Sequence, residues 1–114
     1  MERDRRIDYI ELPATDIGAT KRFYSDAFGW KFTDYGPTYT SFEDGRLAGG
    51  FTKDGTVAKG GPLVVIYADN LEAVEAKVQQ AGATIVKPIF SFPGGRRFHF
   101  SDPSGNELAV WSET

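Results

Sequence analysis

The sequence predicts an α+β fold of two tandem βαβββ modules, and three observations predict it. A strand-like stretch, a helix and three further strand-like stretches follow one another in that order twice. The helix starts, Asp16 and Asp69, lie 53 residues apart, and each stands 13 residues before a stopping glycine, Gly29 and Gly82. The third observation is length. The 114 residues divide into a module over about 7–52, a linker over 53–61 and a module over about 62–112. One such unit has a single helix for a small sheet and leaves a sheet face bare. Two units side by side predict a curved, cleft-bearing mixed sheet with the helices on the outside.

Each element has its own local signal. Residues 7–13 (IDYIELP) alternate loosely and meet Thr15 and Asp16, whose oxygens can accept the unpaired amide hydrogens of a first helical turn. From Ile17 the apolar residues Phe23, Tyr24, Ala27 and Phe28 keep a helical period, which predicts a helix over 16–28. Gly29 follows where a left-handed residue ends a helix. Residues 30–35, 38–43 and 47–52 are β-rich, separated by Gly36-Pro37 and by the turn Asp44-Gly45. Gly49-Gly50 either weakens its strand or lets something approach the backbone. Residues 53–61 (KDGTVAKGG) have no apolar period and read as the linker.

The second module repeats the pattern. Residues 62–68 (PLVVIYA) read as a strand, and Asp69-Asn70 caps a helix carrying Leu71, Val74, Val78 and Ala81 on one face. Residues 84–89 form a strand whose Pro88 suits a sheet edge. A loop is expected at 92–95, a strand at 97–101, a tight Asp-Pro-Ser-Gly-Asn turn at 102–106 and a last strand at 107–112.

Composition removes several function classes. Hydrophobic residues at 40% and charged residues at 25% describe an ordinary globular chain. A net charge of −3 with no basic stripe argues against a nucleic-acid partner. The longest apolar run, 62–68, is far short of the roughly 20 residues of a membrane helix, so no membrane partner is expected. The charged start MERDRRID has no apolar stretch behind it, which leads to the expectation of a cytoplasmic protein without a signal peptide. There is no cysteine, hence no disulfide, thiolate metal site or Cys nucleophile. There is one histidine, His99, so any mechanism needing two per chain is excluded.

The stretches IELPATDIGATKRFYSDAFGW, GGPLVVIYADNLEAVEAKVQQAGA and FSDPSGNELAVW together resemble the vicinal oxygen chelate superfamily of glyoxalase I, extradiol dioxygenases and bleomycin-resistance proteins. Within it, the chain looks most like small glyoxalase-related bacterial proteins. The resemblance implies a cleft on the sheet, a homodimer and four inward positions that hold a divalent metal in many members. Carried over, those positions fall at Tyr9, at Gly49 or Gly50, at Pro62 or Val64, and at Ala109. None is a normal divalent-metal ligand, so no metal or other cofactor is expected; a divalent ion is the disfavoured alternative.

Five residues are candidates for the cleft. Glu11 shares a strand face with Tyr9. It is read either as a general base at the cleft floor or as an edge carboxylate paired with an arginine. His99 is read either as an acid/base group or as a half-buried member of a polar network. Arg97 shares its face and suits a carboxylate or phosphate, whereas Arg96 reads as a solvated hairpin residue. Tyr9 and Trp111 supply an aromatic lining. The expected function is binding of a small molecule in this cleft without the family's metal. The alternatives are a metal-dependent lyase or dioxygenase with a reduced ligand set, and a ligand-sequestering or interaction domain.

Overall fold

The computed structural model describes residues 4–58 and 60–114. The first three residues of the charged N-terminus and Lys59 of the linker lie outside the described residues. Module one comprises β1 (Tyr9–Pro13), α1 (Ile17–Phe28), β2 (Lys31–Asp34), β3 (Tyr39–Glu43) and β4 (Ala48–Thr52). Module two comprises β5 (Val64–Tyr67), α2 (Leu71–Gln80), β6 (Thr84–Phe92), β7 (Gly95–Ser101) and β8 (Glu107–Ser112). No helix of the described residues is long and apolar enough to cross a membrane.

The helix ends follow the capping logic of the sequence. Asp16 accepts from the Ala19 amide at 2.9 Å, and Asn70 accepts from the Ala73 amide at 3.0 Å. Gly29 closes α1 in the left-handed region at φ 72°. Two boundaries differ from expectation. β5 begins at Val64 and not at Pro62, which has no amide hydrogen to give a ladder. β6 runs on to Phe92 and β7 starts at Gly95, so the loop is reduced to Pro93-Gly94, with Gly94 at φ 114°. Pro88 is accommodated because β6 is an edge strand whose pairing with β7 shifts register between Lys87 and Phe90.

Both modules carry the same sheet order, β1-β4-β3-β2 and β5-β8-β7-β6. β1 runs parallel to β4 and β5 parallel to β8, while the remaining pairs are antiparallel. Where the sequence suggested one continuous sheet, the ladders close into two four-stranded sheets. β1 and β5 are therefore each a sheet edge within this chain.

The two sheets share one core. Alternate residues of β7 and β8, Phe98, Phe100, Leu108 and Val110, are fully buried, as is Phe51 of β4. α1 is more than an outer layer, because its rings reach both sheets. Phe23 lies 5.8 Å from Phe100, and Tyr24 lies 5.1 Å from Phe51.

A polar clamp crosses the same boundary. The buried Tyr24 hydroxyl donates to Asp102 Oδ2 at 2.8 Å. Asp102 also accepts from the backbone amides of Ser104 and Asn106, each at 2.9 Å. Asn106 Nδ2 in turn donates to the Pro13 carbonyl at 2.7 Å, and Ser104 Oγ accepts from the Thr15 amide at 2.9 Å. The 102–106 turn of module two is thus bonded to the β1–α1 junction of module one. Burial first, then the Asp102 charge and hydrogen bond, hold the Tyr24 phenol well above its ordinary range.

Candidate functional site

With one face of each sheet committed to the core, the opposite faces carry the site candidates. On module one, β1 turns Ile10 and Leu12 toward the core and Tyr9 and Glu11 outward. Tyr9 does not stand alone. Its hydroxyl lies 2.5 Å from that of Tyr39 and 3.4 Å from Ser41 Oγ. Among the described residues no ion pair joins Glu11 to an arginine. Burial first, then the hydrogen bond with Tyr9 and the nearby Glu11, hold the Tyr39 phenol above its ordinary range.

Gly50 makes this arrangement possible. It stands opposite Glu11 on one side and Ser41 on the other. A Cβ there would meet the Tyr39 hydroxyl at 2.0 Å and the Tyr9 hydroxyl at 2.6 Å. The Gly-Gly pair is the one signal in the sequence that pointed to a close approach. Tyr39 carried no such signal, since its distance to Tyr9 depends on strand register across β4.

On module two, Phe98 and Phe100 face the core and Arg97 and His99 face away, as the alternation implied. His99 is nonetheless 3% exposed. Its Nδ1 lies 2.8 Å from Glu107 Oε2, its ring is 5.9 Å from Phe90, and its Nε2 is buried without a partner among the described residues. The Arg97 guanidinium sits over the rings of Phe90 and Phe92, at 5.4 and 5.6 Å, with Nε buried and unpartnered among the described residues. Trp111 is its neighbour across the β7–β8 ladder. The Trp111 ring lies 5.2 Å from Tyr67 and 6.2 Å from Phe92. Arg96 leaves this group and pairs with Glu72 of α2.

The five candidates thus form two groups: Tyr9 with Glu11, and Arg97 with His99 and Trp111. Among the described residues no hydrogen bond, ion pair or ring contact joins one group to the other. A groove of about 480 Å³ lies along the two edge strands, lined by Ile10, Leu12, Trp30, Val64, Ile66 and Trp111 among others. Its lining is largely apolar and aromatic, as small-molecule sites usually are.

Among the described residues no three His, Cys, Asp or Glu side chains gather as a metal site would require. The four positions indicated by the resemblance hold a phenol at Tyr9, a glycine at Gly49 or Gly50, a proline or valine at Pro62 or Val64, and an alanine at Ala109. These residues do not fit a divalent-metal site within one chain.

Comparison with known proteins defines the family. The sequence profile of the Glyoxalase/Bleomycin resistance protein/Dioxygenase superfamily matches residues 6–110. The chain belongs to that superfamily. It is 32% identical to a glyoxylase-like domain-containing protein of Didymella fabae, over 92% of this chain and 91% of that one. It is 27% identical to the putative glyoxylase CFP32 of Mycobacterium tuberculosis, over 91% of this chain but only 44% of that protein. The chain therefore spans less than half of the mycobacterial relative. The crystal structure of a glyoxalase/bleomycin resistance protein/dioxygenase family enzyme from Burkholderia phytofirmans matches with a TM-score of 0.82 at 18% identity, over 95% of this chain and all of that one, a likeness of fold.

Proposed function

We propose that the protein binds a small, planar, anionic molecule on the outer face of module two, without the family's metal. The observation that carries this reading is Arg97. Its guanidinium is held over Phe90 and Phe92 beside Trp111, with a buried Nε that has no acceptor among the described residues. A guanidinium left with unused donors among aromatic rings suits a carboxylate on a ring system, through paired hydrogen bonds and stacking. His99, fixed by Glu107 and on the same face of β7 as Arg97, is the acid/base group on that face.

The reading includes a homodimer that completes the cleft. β1 and β5 are edge strands, and Val65 and Tyr67 of β5 are 43% and 47% exposed. A long apolar edge left open invites pairing with another chain. The mycobacterial relative, of which this chain spans 44%, has room for a second unit of the same size.

The test uses 2-naphthoate, a planar carboxylate. It should raise the melting temperature of the wild type in a concentration-dependent way, as a ligand selective for the folded state must. Arg97→Gln should weaken the interaction about tenfold, the loss of one charge-assisted pair. Sedimentation should give a dimer mass for the wild type and a monomer mass for Val65→Lys. An unchanged naphthoate affinity in Arg97→Gln overturns the binding reading, and a monomeric wild type overturns the dimer.

A further inference from the structure

We propose that Arg97 and His99 bind as a pair, and that the molecule held on module two is a planar acid with a hydrogen-bond donor at the end opposite its carboxylate. The inference rests on the module-two reading and narrows its ligand class.

Two buried side-chain nitrogens have no partner among the described residues, Arg97 Nε and His99 Nε2. Their residues share one face of β7, two positions or about 6.5 Å apart along the strand. One ring adjoins both. Phe90 lies 5.4 Å from the Arg97 guanidinium and 5.9 Å from the His99 ring. A bulge puts it there. Between the pairs Lys87–His99 and Phe90–Arg97, β6 spends three residue steps, 87 to 90, where β7 spends two, 99 to 97. A bulge of this kind re-aims a side chain, and bulges gather beside binding sites.

The two nitrogens require opposite partners. Arg97 Nε can only donate. The Glu107 carboxylate can only accept, so the hydrogen of the 2.8 Å contact sits on His99 Nδ1. The neutral ring then carries a lone pair at Nε2, which can only accept. Glu107 is thus a positioning residue that fixes the tautomer. A donor and an acceptor buried without partners are costly, and a ligand that meets both recovers that cost. Its carboxylate takes the Arg97 hydrogens, and an N–H or O–H at its far end meets His99. A flat body joins the two ends, because Phe90 offers its ring to both side chains and stacks on what lies between them. Both nitrogens are closed to solvent, so the Phe90 ring turns aside as the ligand enters. Phe90 is half-buried on an edge strand, two residues past Pro88, which has no amide hydrogen to tie that strand to the ladder.

The experiment compares indole-5-carboxylate with benzofuran-5-carboxylate, which has the same outline and charge but a ring oxygen in place of the N–H. Titration calorimetry of the wild type is run in mildly alkaline buffer, where a free imidazole is neutral. The indole acid should bind about tenfold tighter, the scale of one hydrogen bond. His99→Phe keeps a flat ring without an acceptor and should bring the two acids to equal affinity. His99→Leu takes its place should the phenyl variant fail to fold. Arg97→Gln should weaken both acids alike and keep their ratio. If His99 served only the packing of β7, its loss would lower both affinities together and leave the ratio unchanged, so the ratio is the deciding readout. Equal affinities in the wild type, or a preference for the indole acid that survives the loss of His99, overturn the proposal and leave the module-two reading standing. A wild type that binds neither acid removes both.

Discussion

Replacing Asp102 by alanine is expected to cost about 3–5 kcal/mol of stability, the range for breaking a buried charged network by removing one partner. Asp102 is 5% exposed and accepts from Tyr24 Oη, two backbone amides and Asn106 Nδ2. Alanine leaves those donors facing an apolar gap, each with its own desolvation penalty. Tyr24→Phe should cost less, about 1–2 kcal/mol, because Asp102 keeps its other three donors. Urea titrations of the two single variants and the double variant measure this directly. Additive losses would mean that the pair does not act as a unit across the modules.

The second large effect falls on Gly49. A Cβ there would meet the Ile10 carbonyl oxygen at 2.3 Å and the Phe42 ring at 2.2 Å. The first of these is backbone and cannot yield without opening the β1–β4 ladder. Gly49→Ala is therefore expected to cost about 3 kcal/mol or more, the upper end for overpacking. For a chain of this size that lowers the melting temperature by about 12 °C. Gly50→Ala, one residue along, should melt close to the wild type. A scan showing both variants within two or three degrees of the wild type, an interval of about half a kcal/mol, would remove this account of the pair.

The fold was legible because its signals are local. Asp16, Asn70, Gly29 and the Asp-Pro-Ser-Gly-Asn turn each specify backbone geometry within a few residues. The alternation of β7 also assigned Arg97 and His99 to one face and Phe98 and Phe100 to the other. The pairing of Tyr24 with Asp102 explains why the Phe-Tyr helix and the Asp-Pro turn were informative together, since they meet across the module boundary. The site was less legible because it depends on register. Tyr39 reaches Tyr9 across β4, and Phe90 and Phe92 reach Arg97 because β6 continues past Pro88. Neither relation has a periodicity that a single sequence displays. Glu107 was likewise invisible as the partner of His99, because the pair forms across the β7–β8 ladder.

The positions of the two tryptophans have a spectroscopic consequence. Trp30 is 8% exposed and stacked between Tyr24 at 4.7 Å and Phe42 at 4.5 Å. Trp111 lies half-buried on the opposite side of module two from the core, against Tyr67 and Phe92. One indole should emit at short wavelength and respond to loosening of the clamp between the modules. The other should emit further to the red and be quenched by whatever settles beside Arg97. The chain thus holds two natural fluorophores in different surroundings, and a Trp30→Phe variant would isolate the Trp111 signal without any added label.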